Sequence, residues 1–208
     1  MKVAIISDFD GTITTKDVGD FLLLHFNLAT EKEIEDSYEF GLKIEEWMKK
    51  YFSRIKSVNL AQVKRAIKEH IKLRDGFCQM VEFLNRNLIP FEVVSGGVDL
   101  YIEEVFENYG LKLKGYYGKF NNGDISFDFL NKDKALSDFK MERVLLYKKL
   151  GYKTIFCGDA PNDYKAAVVC DICFATLRLA EIMRKENRDF FYLNDFKKVM
   201  EVLNVSLS

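Results

Sequence analysis

Four short segments carry side chains whose types and spacing could do chemistry. Asp8-Phe9-Asp10-Gly11-Thr12 sets two carboxylates two residues apart. If the chain begins to turn there, both point roughly the same way and form a hard oxygen site suited to Mg²⁺. Gly11 permits such a turn, and a helix N-cap beside a loop aspartate is the ordinary alternative. Ser95-Gly96-Gly97 offers a hydroxyl and two glycine amides, donors that can hold phosphate oxygens where the backbone comes close. Gly158-Asp159-Ala160-Pro161-Asn162-Asp163 adds a second acidic pair, of which Asp159 would complete a metal shell. Lys140, expected at the start of a helix, would neutralise phosphate charge.

Three of these segments follow an apolar run, and in an open α/β sheet the carboxyl ends of strands are where ligands bind. Near-continuous hydrophobic stretches at Lys2–Ser7, Ile89–Ser95, Lys153–Cys157 and Asp171–Phe174 read as parallel strands buried on both faces. Phe190–Leu193 adds an edge. Apolar spacings of three and four predict helices over Asp75–Asn87, Asp99–Tyr109, Lys140–Leu150, Pro161–Val169, Leu177–Asn187 and Asn194–Leu203. Lys112–Phe129 breaks this rhythm, because Asn122-Gly123 between alternating runs predicts a β-hairpin. From Thr15 to Arg74 no strand-like run occurs and three or four helical patterns follow one another. The expected architecture is a Rossmann-like parallel sheet core, 1–14 and 75–208, with a small helical cap, 15–74, inserted between the first and second segments. A stripe of Ile44, Trp47, Met48, Tyr51, Phe52 and Ile55 at helical spacing is expected to pack against a neighbouring helix.

Composition excludes several classes. With 208 residues, 48% hydrophobic, 14% aromatic and two prolines, the chain is a packed globular protein. Lys and Arg number 31 against 32 Asp and Glu, so nothing favours capture of nucleic acid or of an anionic membrane. The expected partner is a small molecule, and the protein itself a monomer or homodimer. No apolar run approaches the length of a membrane span, and the start of the chain lacks a secretory signal, so a cytoplasmic location is expected. Cys78, Cys157, Cys170 and Cys173 do not make a disulfide scaffold. With two histidines in the chain, the single C-x-x-C reads as packing rather than a zinc site.

D-x-D-G-T, S-G-G, a lysine and G-D-x-x-N-D in this order, over the whole chain, resemble the haloacid dehalogenase superfamily of phosphohydrolases. The helical insertion is similar to the cap of its phosphoserine phosphatase-like branch. Phe91–Asp99 and Asp171–Ala175 look like the corresponding segments of a methionine-salvage phosphatase family within it, although 127–140 lacks that family's cysteine-rich loop. The resemblance implies a Mg²⁺-dependent phosphomonoester hydrolase. Asp8 would be the nucleophile that forms an aspartyl-phosphate, and Asp10 the acid and then the base. Asp8, the Asp10 carbonyl and Asp159 would hold the ion, with Asp163 acting through water. Lys140 would screen charge, and Thr12 and Ser95 would hydrogen-bond the phosphoryl group. Asp10 argues against carbon–halogen chemistry, whose halide product needs no proton.

Asp17 is expected either to contact substrate or to cap a helix, and Arg54 and Arg74 either to meet a substrate anion or to lie on a solvated face. The substrate implied is a small phosphate ester such as 2-hydroxy-3-keto-5-methylthiopentenyl-1-phosphate, with phosphoserine as the rival. A non-hydrolytic phosphoacceptor of receiver type is a third reading. It fits less well, since such a domain accepts phosphate after its third strand and has no helical insertion.

Overall fold

The computed structural model describes residues 2–39, 41–131 and 134–207. Met1, Phe40, Lys132, Asp133 and Ser208, which the expected domain boundaries take in, lie outside the described residues. Seven strands form one sheet: β1 Val3–Ser7, β2 Phe91–Val98, β3 Gly115–Asn121, β4 Asp124–Ser126, β5 Lys153–Gly158, β6 Ile172–Ala175 and β7 Phe191–Tyr192. Their order is β4-β3-β2-β1-β5-β6-β7, parallel throughout except for the β3–β4 hairpin.

Every residue of β1 is buried, as its central place requires. The hairpin turns at Asn122 and Gly123, both with positive φ (49° and 97°), the conformation that Asn-Gly favours. Helices α1 Val18–His25, α2 Glu31–Glu35, α3 Ile44–Tyr51 and α4 Leu60–His70 lie between β1 and the helices of the sheet. Those are α5 Phe77–Arg86, α6 Asp99–Asn108, α7 Leu136–Lys149, α8 Tyr164–Val169, α9 Leu177–Lys185 and α10 Phe196–Leu207. None of the described helices is long and apolar enough to cross a membrane.

Entry to and exit from the inserted helices run side by side. Thr14 bridges Leu73, the Thr15 amide donates to the Lys72 carbonyl at 3.0 Å, and the Arg74 amide donates to the Ile13 carbonyl at 2.7 Å. Trp47, Met48, Phe52 and Ile55 are buried as the helical stripe predicts, whereas Ile44 and Tyr51 are only partly so.

Two of the boundaries that differ from the sequence reading bear on the strand-end residues. β2 does not stop at Ser95 but continues to Val98 with an irregular register against β3 between Val94 and Val98. Lys140 does not open its helix: α7 starts at Leu136, and Leu136, Lys140 and Val144 share its buried face. A charged residue at that place looks like a helix end only while its buried partners are unknown.

Candidate active site

Phe9 separates the two aspartates of the first segment, and it is the residue that aims them. Its ring is fully buried and packs edge-on against Phe106 with centroids 5.3 Å apart. Its carbonyl accepts the Ile13 amide at 2.8 Å and the Thr14 amide at 3.1 Å. With Phe9 turned into the core, Asp8 and Asp10 both face the end of the sheet. The Asp8 amide donates to the Cys157 carbonyl at 2.9 Å, which ties this segment to β5. Gly11 has φ +64°, and a Cβ there would stand 2.3 Å from Asp159 Oδ2, so the approach of the first segment to the third demands glycine.

Lys140 sits fully buried beneath this loop. Its Nζ donates to Asp8 Oδ1 at 2.8 Å, to Asp163 Oδ1 at 2.7 Å and to Asn162 Oδ1 at 3.3 Å. The other Asp163 oxygen accepts the amides of Asp159 and Ala160 at 3.0 and 3.1 Å. Burial pulls the Lys140 ammonium down, but Asp163 and Asp8 outweigh it and hold its pKa above the ordinary lysine value. Asp8 is pushed up to about 7, by burial first, with Lys140 opposing and Asp163 adding to the rise. Asp159 is raised well above the carboxylate range by burial and then by Asp8 and Asp163.

Asp8, Asp159 and Asp163 each present an oxygen within 4.8 Å of the others. Three buried carboxylates against one lysine leave excess negative charge, and an all-oxygen donor set suits a hard divalent cation. This group fits such an ion. The Asp10 carboxylate stands outside it. Its Oδ1 accepts the Val18 amide at 2.9 Å, and its Oδ2 accepts the Tyr101 hydroxyl at 2.7 Å and the Ser95 hydroxyl at 3.4 Å. Burial, then the charges of Asp17 and Asp8, raise Asp10 well above its ordinary value. Each of these influences favours the neutral carboxyl, the form that can give a proton away.

These side chains open into one cavity of about 190 Å³ between the sheet end and the inserted helices. Asp8, Asp10, Ser95, Gly96, Gly97 and Asp159 form its floor. Asp17, Asp20, Tyr38, Leu42, Ile44, Trp47 and Met48 line the opposite side. Thr12 is not part of that lining: it is fully buried, and its hydroxyl donates to Asp159 Oδ1 at 3.4 Å. The Ser95 oxygen accepts the Gly97 amide at 2.9 Å, so one of the two expected phosphate-facing amides is engaged inside its own segment.

Asp17 is a helix cap that also lines the cavity. It caps α1 by accepting the Asp20 amide at 2.8 Å while facing the cavity. Tyr38 donates to Asp20 at 2.6 Å and lies 3.4 Å from Asp17. Arg54 and Arg74 are absent from the cavity lining. Arg54 donates to the Leu28 carbonyl at 2.7 Å and pairs with Glu33 at 3.1 Å. Arg74 donates to the Gly11 and Thr12 carbonyls at 2.6 and 2.8 Å and to the Leu193 carbonyl at 3.3 Å. Arg54 keeps a partly solvated side chain, 38% exposed, beside Glu33, whereas the Arg74 guanidinium is turned onto backbone carbonyls.

Arg74→Ala therefore strips the first segment of two carbonyl partners and is expected to destabilise the protein by about 1–3 kcal/mol. Urea unfolding measures this. An unchanged midpoint, with weakened binding of substrate alone, would return Arg74 to a substrate-binding role.

Tyr101, Tyr38 and Asp20 are among the residues of this site that sequence reasoning misses. Tyr101 lies six residues beyond Ser95 on an amphipathic helix, and only its neighbour Gly97 gives a signal.

The sequence matches the model of the haloacid dehalogenase-like hydrolase family over residues 5–167. Among similar curated proteins is the 2-hydroxy-3-keto-5-methylthiopentenyl-1-phosphate phosphatase of Microcystis aeruginosa, 29% identical with 98% of each chain covered. That of Bacillus velezensis is 28% identical over 82% of this chain and 76% of its own. A phosphoserine phosphatase solved as a phospho-aspartyl intermediate analogue shares the fold, with a TM-score of 0.74 at 22% identity over 97% of this chain and 98% of its own. The α/β sheet with its strand-end site thus defines a hydrolase fold, and the chain belongs to the haloacid dehalogenase-like hydrolase family.

Proposed function

We propose that the protein is a Mg²⁺-dependent phosphatase that cleaves a small phosphorylated metabolite through an aspartyl-phosphate on Asp8, with residues 15–74 acting as a cap over the site. The observation that carries this reading is the convergence of Asp8, Asp10, Ser95 and Asp159 on one cavity, with Lys140 Nζ 2.8 Å from Asp8. Asp8 attacks phosphorus. Asp10, in its neutral form, gives its proton to the leaving oxygen, and then takes one from the water that releases phosphate from Asp8. Lys140 keeps Asp8 oriented and offsets charge where an anionic nucleophile meets an anionic ester. Asp8 and Asp159, with Asp163 beside them, would hold Mg²⁺, which when bound supplies charge neutralisation for the phosphoryl oxygens.

The cap side of the cavity supports a particular substrate class. Leu42, Ile44, Trp47 and Met48 offer apolar contact. The two lysines of the lining, Lys43 and Lys165, are half exposed and paired with Glu46 and Asp138. An ester with an uncharged apolar tail fits this better than one with a second anion. That agrees with the methylthiopentenyl phosphate named for the Microcystis and Bacillus relatives. A second reading, phosphoserine, draws support from Asp17 and Asp20, half-buried acids of the cavity lining that could meet an ammonium group. All four cysteines are free thiols, which fits the reducing cytoplasm.

The test is Mg²⁺-dependent phosphate release from a panel containing the methylthiopentenyl-1-phosphate ester, phosphoserine, phosphocholine and sugar phosphates, with p-nitrophenyl phosphate as a general probe. The methylthio ester is expected to lead by kcat/KM, and chelation to abolish all turnover. A lead for phosphoserine selects the second reading, and no release from any ester defeats both.

A further inference from the structure

Asp10 is held at both oxygens. The Val18 amide, which can only donate, meets Oδ1 at 2.9 Å. Backbone thus engages Oδ1, and Oδ2 is the oxygen that meets side chains. Tyr101 donates into Oδ2 at 2.7 Å, far closer than the Ser95 hydroxyl at 3.4 Å. The Tyr101 hydroxyl occupies one direction around Oδ2 and so fixes the direction left for exchange with a substrate.

Two independent features hold the phenol there. The Tyr101 ring is buried, with Phe52 edge-on at 5.4 Å and Phe9 tilted at 6.2 Å between centroids. A Cβ on Gly97 would stand 2.1 Å from the Tyr101 oxygen and 2.8 Å from Asp10 Oδ2. The second glycine of S-G-G is therefore required by the Tyr101–Asp10 pair, whatever its amide does for a phosphate.

We propose that Tyr101 is a positioning residue whose hydroxyl holds the Asp10 carboxyl so that Oδ2 meets the leaving oxygen of the ester. This rests on the reading of Asp10 as the acid. As the Asp8 oxygen–phosphorus bond forms and the phosphorus–leaving oxygen bond breaks, the Oδ2 proton passes to the leaving oxygen and Asp10 becomes a carboxylate. In the second step a water oxygen bonds phosphorus, its proton returns to Asp10 and the bond to Asp8 breaks.

The test compares kcat/KM for benzyl phosphate, whose alkoxide must be protonated as it leaves, with p-nitrophenyl phosphate, whose stable anion hardly needs a proton. This ratio reports steps up to formation of the aspartyl-phosphate and omits its hydrolysis. Tyr101→Phe is expected to lower kcat/KM for the benzyl ester about 10-fold or more and for the nitrophenyl ester by less than about 3-fold. Asp10→Asn is expected to show the same discrimination more strongly. Phe52→Leu, which loosens the ring's packing but leaves the hydroxyl, is expected to treat the two esters alike.

If Asp10→Asn discriminates and Tyr101→Phe does not, Tyr101 is a packing residue and the proposal fails while the acid assignment stands. If Asp10→Asn treats both esters alike, the acid assignment itself fails. Tyr101→Met, a flexible filler also lacking the hydroxyl, is measured beside it. The ratio is read on whichever variant keeps the wild-type circular dichroism.

Discussion

Asp8→Asn is expected to lower turnover by about 10⁴-fold or more, the scale on which enzymes lose rate with their nucleophile, while the melting temperature of the metal-free protein stays level or rises. The two halves of this result have one cause. Asp8, Asp10, Asp159 and Asp163 crowd one buried region with Lys140 as the ammonium bonded among them, and Asp8 is already driven up to about 7 by burial. Asparagine removes a negative charge from a site with too many, yet keeps an oxygen to accept from Lys140. Phosphate release and thermal unfolding on the same preparation check both halves. Turnover within about 10-fold of wild type would remove Asp8 from the nucleophile's role.

Lys140→Met removes the other partner, and the consequence is opposite in sign for stability. Taking one member from a buried ion pair leaves an uncompensated charge and costs about 3–5 kcal/mol; here two carboxylates, Asp8 and Asp163, lose the same ammonium. Activity is expected to fall about 10²–10³-fold, the scale of one missing donor to a developing charge.

The deficit depends on pH. A carboxyl raised in the folded state, as Asp8 is to about 7, stabilises the fold below its unfolded pKa, and this contribution is lost as pH rises through the folded one. Without the lysine that opposes the rise, Asp8 and its neighbours lose more. The variant should therefore lie closer to wild type at about pH 5 than at about pH 8. The raised lysine of the wild type contributes fully below the ordinary lysine range and loses its effect only above it. Urea unfolding in chelator at both pH values checks this, and a variant equal to wild type at the higher pH would mean that Lys140 holds no buried pair.

Much of this site is legible in the residues, and the rest is hidden for identifiable reasons. Apolar runs mark β1, β5 and β6 to within a residue or two because strands buried on both faces have few other compositions. Acids placed just after such runs gather at one sheet end by topology alone. Lys140 was legible as a charge but not as a helix interior, because the carboxylates that let it be buried come from Asp8 and Asp163, far away in sequence. Tyr101 was silent for the same reason: on α6 it looks like one more apolar-stripe aromatic, and only its hydroxyl's contact with Asp10 distinguishes it. Arg74 looked like a candidate for an anion, but its guanidinium serves backbone carbonyls, acceptors that no side-chain pattern displays.

The central place of β1 bears on how the chain emerges from the ribosome. β1 is made first, yet one of its two neighbours, β5, begins at Lys153. At about 5–20 residues per second, on the order of ten seconds or more pass before that neighbour is synthesised. Through that interval a strand apolar in all but Ser7 has an unpaired edge, the kind of template on which nascent chains aggregate. The inserted helices, translated directly after β1, are the first bulky structure available to shield it, and Asp159 and Asp163 arrive only once β5 has closed the gap.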